Sequence, residues 1–255
     1  PLSLDEAYLD VTENKRMMTS ATLIAREIKQ KVRKETDLTC TAGVSINKFL
    51  AKVASGLNKP NGLTTITPDE MVKFLDDLPI EKFFGVGKVT AQKMQNLGIN
   101  TGADLRTIPL QQLIRHFGKA GKYYFDVCRG QDERPVTPSR IRKSISVERT
   151  FEENIYQRED AIRVLEKLAE ELYRSLQKLE QEGRTLQVKW RYPDFTTPSR
   201  SRSFQQFVSD YSLILATVTQ LFDENVELVK GIRLLGIGIT NLNNRDQLPQ
   251  LTLDI

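Results

Sequence analysis

Histidine is almost absent from this 255-residue chain: His116 stands alone, which nearly excludes a His-rich zinc site or a His-based catalytic triad. Cysteine is scarcely more frequent. Cys40 and Cys128 lie far apart in apolar-looking surroundings and read as two thiols in a reducing cytosol, not as a disulfide. The expected location is therefore cytoplasmic. No apolar run approaches the length that crosses a bilayer and no secretory signal is visible, so a membrane is not among the expected partners. An initiating methionine is also lacking: the chain opens on Pro1, and the expectation is that a preceding segment is missing from it.

What remains is ordinary soluble composition, 39% hydrophobic and 27% charged, long enough for two or three compact domains. The net charge of +4 is small, but its distribution is uneven. Arg140, Arg142, Lys143 and Arg149 crowd one strand-like segment, and Arg184, Lys189, Arg191, Arg200 and Arg202 crowd another. The helical stretch 152–182 between them holds nine acids against five bases. Cations gathered on strands and anions on a helix leave the footprint of one phosphate-facing surface.

The amino end reads Ser3-Leu-Asp-Glu-Ala-Tyr-Leu-Asp10. Asp5 and Glu6 interrupt a strand-like run from Leu4 to Val11. Adjacent carboxylates repel and resist burial unless a cation offsets them, and a divalent, oxygen-loving metal is the natural partner.

Three blocks follow along the chain. Residues 1–67 read as mixed α/β: a helix over 20–35 with Ser20 as N-cap, a strand over 39–45, a helix over 47–57, the turn Lys59-Pro60-Asn61-Gly62, and a strand near 63–66. Residues 68–130 read as all-helical, opened by Thr67-Pro68-Asp69-Glu70 as a capping box with Pro at N1. Within them Phe84-Gly85-Val86-Gly87-Lys88 has the helix-hairpin-helix pattern. Its backbone N–H groups could hold a phosphate oxygen, with Lys88 adding charge. Residues 117–121 carry an echo that fits either a second such turn or an ordinary αα-turn. Residues 131–140, charged and with two prolines, read as a linker. Residues 141–241 read as β-α-β-β-α-β, a four-stranded antiparallel sheet with both helices on one face and Lys and Arg on the other. Residues 242–255 read as a flexible tail ending in Gln250-Leu251-Thr252-Leu253-Asp254-Ile255, either a chance tail or a docking peptide.

These pieces in this order resemble the Y-family translesion DNA polymerases, in their bacterial polymerase IV branch. Ser3 to Asp10 is similar to the family's second metal motif, and Gly43 to Ser55 with Asn58-Lys-Pro-Asn-Gly62 to the palm signature after it. Phe84-Gly-Val-Gly87 is similar to the thumb hairpin, residues 141–241 to the little finger, and Gln250 to Leu253 to the clamp-docking peptide. The resemblance implies an α+β multidomain enzyme: partial palm at 1–67, thumb at 68–130, linker at 131–140, little finger at 141–241, tail at 242–255. It implies template-directed, error-prone DNA synthesis by two-metal nucleotidyl transfer with Mg²⁺. Asp5 and Glu6 would be metal ligands and catalytic, and Asp10 would cap or solvate the strand. Lys59 would meet the incoming dNTP. Gly85, Val86, Gly87, Lys88, Arg142, Lys143, Lys189, Arg191, Arg200 and Arg202 would meet primer-template DNA. Gln250, Leu251, Leu253 and Ile255 would dock a monomeric enzyme on the sliding clamp. In the family an earlier palm strand brings a further carboxylate and the fingers follow it. The chain therefore resembles a fragment, expected to be inactive alone. The alternative is a non-catalytic DNA- and clamp-binding module.

Overall fold

The computed structural model describes residues 2–243. It divides into two compact units, Pro1–Pro138 and Ser139–Ile255.

The first unit opens on coil. The strand expected over Leu4 to Val11 is not formed: Leu2 N and Ser3 N both donate to Glu6 O, at 2.7 and 3.3 Å, and the segment runs on irregularly to residue 20. No strand lies beside it among the described residues, so an extended backbone would gain no ladder there. Asn14 closes the next turn, its Oδ1 accepting from Met18 N at 3.0 Å and its Nδ2 donating to Met18 O at 2.8 Å.

Helix α1 (Ala21–Thr36) starts where Ser20 accepts from Leu23 N at 3.3 Å, and ends at Asp37, whose left-handed backbone returns its N–H to Arg33 O. None of its residues is fully buried, and Leu23 remains 48% exposed. Strand β1 (Ala42–Val44), helix α2 (Lys48–Gly56) and strand β2 (Leu63–Thr65) form a βαβ unit with the two short strands parallel. Asn47 caps α2 through Leu50 N at 3.0 Å. Gly43 lets α2 approach closely, since a Cβ there would meet Ala51 O at 2.1 Å.

Six helices or turns complete this unit: α3 (Pro68–Asp77), a 3-10 turn (Ile80–Lys82), α4 (Lys88–Asn96), α5 (Gly102–Thr107), α6 (Leu110–Phe117) and α7 (Lys119–Val127). Glu70 closes the start of α3, accepting from the Thr67 hydroxyl at 2.8 Å and from Thr67 N at 3.4 Å. One core runs from α2 into these helices: Phe49, Leu50, Leu75, Phe83, Met94 and Leu113 are all buried in it. The Phe49 and Phe83 rings lie 5.5 Å apart, tilted by 42°. Each such side chain stabilises the fold by about 1.5–3 kcal/mol through removal from water.

Residues 131–143 have no regular structure, but the first of them are not free. Asp132 accepts from Phe49 N at 2.9 Å, its side chain only 2% exposed. Arg134 grips the same carboxylate at 2.6 and 2.9 Å and lies 5.0 Å from the Tyr123 ring centroid. Asn47 Nδ2 donates to Gly130 O at 2.8 Å and Lys48 Nζ to Pro135 O at 3.1 Å. The stretch read as linker is thus clasped to α2 as far as residue 135.

The second unit is β3 (Ser144–Ile155), α8 (Arg158–Leu179), β4 (Gly183–Arg191), β5 (Ser199–Val208), α9 (Tyr211–Asn225) and β6 (Ile232–Leu242). The strands form one antiparallel sheet in the order β3-β6-β4-β5. Both helices cover one face. Leu165, Leu168, Leu172 and Leu176 of α8, and Ile214, Val218 and Phe222 of α9, pack on Leu186, Val188, Trp190, Leu235, Ile237 and Ile239. Asp210 caps α9 through Leu213 N at 2.8 Å. The α+β architecture and the β-α-β-β-α-β order are as expected from the sequence.

Candidate active site and nucleic-acid interface

Asp5 and Glu6 sit side by side on the opening coil. The Ser3 hydroxyl donates to Asp5 Oδ1 at 2.8 Å. That bond first, then the local backbone and the charges of Lys52 and Lys59, hold the Asp5 carboxyl below its usual range. Glu6 is paired with Lys52 Nζ at 2.5 Å, and the same ammonium lies 5.8 Å from the Phe84 ring centroid. Lys52 thereby links the carboxylate pair to the residue that opens the hairpin. Asp10 accepts from Thr12 N at 3.0 Å and closes a small turn, so it caps coil and not a strand.

Lys59 is exposed on the turn after α2. Lys29 of α1 braces that turn. Its three ammonium protons go to Cys40 O at 2.5 Å, Asn61 O at 2.9 Å and Asn61 Oδ1 at 2.6 Å. Neither Lys29 nor Lys52 was singled out by the sequence reading. The spacing of Lys48 and Lys52, one turn apart on a helix capped by Asn47, was the signal that could have found the second.

Among the described residues no group of three or more His, Cys, Asp or Glu is arranged to hold a metal ion. The two adjacent carboxylates are nevertheless hard oxygen donors of the kind magnesium takes. Their chemistry fits such an ion as part of a ligand set, which on Glu6 would take the oxygen that Lys52 Nζ now holds.

The hairpin is formed as expected. Gly85 has φ +93°, a conformation that suits glycine, and a Cβ there would press on the Tyr123 ring at 3.3 Å. The Tyr123 hydroxyl donates to Phe84 O at 2.9 Å, and burial pushes its pKa up to about 12. Val86 is buried as the anchor of the turn. Gly87 is the N-cap of α4, with open space where a side chain would project, and Lys88 is exposed at N1. Backbone N–H groups at the start of α4 face a surface that a phosphate oxygen can reach. At the echo in 117–121, Gly118 joins α6 to α7 at φ +58°, and Gly121 brings the α7 backbone against Leu113.

In the second unit the cross-strand register sorts the residues of the sheet. Ser144, Thr240, Thr185 and Ser203 form one row on the face away from the helices. Ser146, Gly238, Gln187 and Ser201 form the next, and Glu148, Gly236, Lys189 and Ser199 the third. This face is rich in hydroxyls and glycine, not the basic sheet expected. Lys189 is on it, ion-paired with Glu148. Arg191 is one row further on, its Nε donating to Thr197 Oγ1 at 2.8 Å. Arg142 and Lys143 are exposed just before β3.

Arg200 and Arg202 are a correction. They pair in register with Val188 and Leu186, whose side chains face the helices, so both arginines lie on the helix side of β5. There Arg200 Nε donates to Asn225 Oδ1 at 3.1 Å, and Arg202 donates to Gln220 Oε1 at 2.6 Å and sits 3.9 Å from Glu224. They tie the edge strand to α9 and do not share a face with Lys189. Gln250, Leu251, Leu253 and Ile255 lie outside the described residues. Among the described residues no helix is long and apolar enough to cross a membrane.

Comparison with known proteins finds three family models along the chain. The impB/mucB/samB family matches residues 1–56, and its C-terminal domain matches residues 142–253. The thumb domain of DNA polymerase-iota matches residues 76–132. DNA polymerase IV of Leptospira interrogans is 43% identical over the whole chain, which spans 72% of that relative. DNA polymerase IV of Clostridioides difficile is 48% identical over 97% of the chain, which spans 68% of it. Among solved structures, a Y-family DNA polymerase chimera of Dbh and Dpo4 superposes with a TM-score of 0.74 at 26% identity, over 87% of this chain and 64% of its own.

Proposed function

The chain belongs to the Y-family DNA polymerases, in the DNA polymerase IV branch, and from that premise we propose that it takes part in template-directed, damage-tolerant DNA synthesis in the cytoplasm, residues 1–67 serving as part of the palm, 68–130 as thumb and 141–241 as little finger. The observation that carries the reading is the Asp5-Glu6 pair, with the ammonium of Lys52 on Glu6 and the charge of Lys59 acting on Asp5.

Asp5 and Glu6 would hold magnesium, which when bound supplies charge neutralisation at the reacting phosphate and the departing pyrophosphate. Lys59 offers a point charge to the β and γ oxygens of a dNTP, and Lys29 keeps its turn in place. Gly85 to Lys88 take a backbone phosphate of primer-template DNA through main-chain N–H groups. Arg142, Lys143, Lys189 and Arg191 add charge along the second unit. These contacts position a duplex without reading its sequence, as a copier of damaged template requires. Gln250, Leu251, Leu253 and Ile255 would dock the monomer on a sliding clamp.

A second reading concerns the 255 residues assayed as they stand. They carry two carboxylates adjacent in sequence and, among the described residues, no group of three or more His, Cys, Asp or Glu that could hold a metal ion. As a purified polypeptide they are expected to bind DNA and clamp without extending a primer. In the natural gene product, Asp5→Ala and Glu6→Ala are each expected to reduce primer extension to background while leaving duplex affinity within about twofold. Undiminished synthesis by either variant would refute the assignment. Efficient extension by the 255-residue polypeptide would refute the second reading.

A further inference from the structure

The row Glu148–Gly236–Lys189 has an arrangement that DNA binding by the sheet does not require. Glu148 on β3 and Lys189 on β4 are not neighbours: the whole of β6 lies between them, with Gly236 in register with both. Their side chains nevertheless meet in an ion pair across that strand. Glycine makes this possible, because a Cβ at 236 would stand 2.8 Å from the Glu148 Cβ, and any larger side chain would fill the space in which the pair forms. Both partners stay in water, Lys189 at 37% and Glu148 at 50% exposure, so neither is committed to the core. The next two rows toward Ser144 carry only hydroxyl, amide and glycine groups, while the row on the other side, Thr150–Leu234–Arg191, brings a second cation. Within these three rows Lys189 is the only cation, and its partner is the only anion.

We propose that Glu148 is an internal competitor for Lys189, occupying the place a DNA phosphate takes and setting the affinity of this face for duplex. The inference rests on the reading that this face meets DNA. A phosphate oxygen and a carboxylate oxygen are alternative acceptors for one ammonium, and Lys189 can turn from one to the other without loss of a hydrogen bond. An exposed pair of this kind is cheap to open, and the exchange holds the duplex less tightly than an unopposed lysine would. A polymerase that must let template slide past gains from such contacts.

Duplex affinity is measured by fluorescence anisotropy with the whole 255-residue chain across a salt series. Variants are Glu148→Gln, Lys189→Ala, the pair together, and Ser201→Glu on the same face. Glu148→Gln is expected to bind about two- to fivefold more tightly at low salt, the range an exposed ion pair spans. Its log-log salt slope should steepen by no more than about 0.9, the share of one full phosphate contact, since Lys189 already exchanges onto phosphate in the wild type. In the Lys189→Ala background the gain should vanish, since the competition acts through that ammonium. Unchanged or weaker binding by Glu148→Gln overturns the inference, as does a gain that survives in the double variant, because that gain would be general repulsion. Ser201→Glu separates the two levels. If it leaves affinity unchanged, the face does not meet DNA and both readings fall. If it weakens binding while Glu148→Gln does not tighten it, only the competitor is lost.

Discussion

Removing the Asp132 carboxylate should destabilise the first unit and leave the second untouched. Its side chain is 2% exposed and accepts from Phe49 N at the start of α2, from the Arg134 guanidinium and from Arg134 N. Leaving the α2 N–H unpartnered costs about 1–3 kcal/mol. The ion pair adds on the order of 1 kcal/mol, because Arg134 is half exposed and solvent screens it. Asp132→Ala should therefore cost roughly 2–4 kcal/mol, or about 5–15 °C in the melting of a unit this size. Asp132→Asn keeps an acceptor for Phe49 N and should cost roughly half as much. The single tryptophan gives the control. Trp190 lies in the core of the second unit, so its fluorescence melt should not move while the circular dichroism transition of the first unit falls. Acid supplies a second check. Burial raises the Asp132 pKa, but the bonds and charge of Arg134 and the Phe49 N–H outweigh it, and the net value is lowered. A lowered carboxyl stabilises the fold above its unfolded value of about 3.9, and that stability is lost as pH falls through the folded value. The gap between wild type and Asp132→Asn should close below about pH 4. A variant that melts like wild type at pH 7 would make residues 131–135 an ordinary tether and refute the clasp.

Two further outcomes are expected. Gly85→Ala places a Cβ at φ +93° against Tyr123 and should cost about 1–2 kcal/mol, with a several-fold loss of duplex affinity in a folded protein; unchanged affinity would remove the hairpin from the DNA contact. Amides of α1, which buries no residue fully, should exchange with solvent faster than those of α2 and of β4, whose side chains enter cores; equal protection would contradict the packing described above.

Features with local causes were legible in the sequence. Ser20 caps α1 because its short polar side chain accepts from the amide three residues on, and Glu70, at the third position of α3, reaches back to the Thr67 amide and hydroxyl. The alternation of Leu186, Val188 and Trp190 with Gln187 and Lys189 assigned β4 its two faces. Features set by partners distant in sequence were not. Ser199 to Ser203 alternates Ser and Arg equally well in either orientation, and only the register with β4 turns Arg200 and Arg202 toward α9. Leu4 to Val11 has strand composition, but a strand needs a neighbour. Asp132 looks like one more charge in a polar stretch until α2, more than eighty residues earlier, presents a free amide to it.

The sheet order β3-β6-β4-β5 has a consequence for how the protein is made. The strand synthesised last, Ile232–Leu242, hydrogen-bonds to both β3 and β4, so until it leaves the ribosome the nascent sheet is split into an unpaired strand and a hairpin. Folding of the second unit must wait until residue 242 has emerged. A stop codon before residue 232 would take away the middle of the sheet, leaving two exposed edges for chaperones to shield.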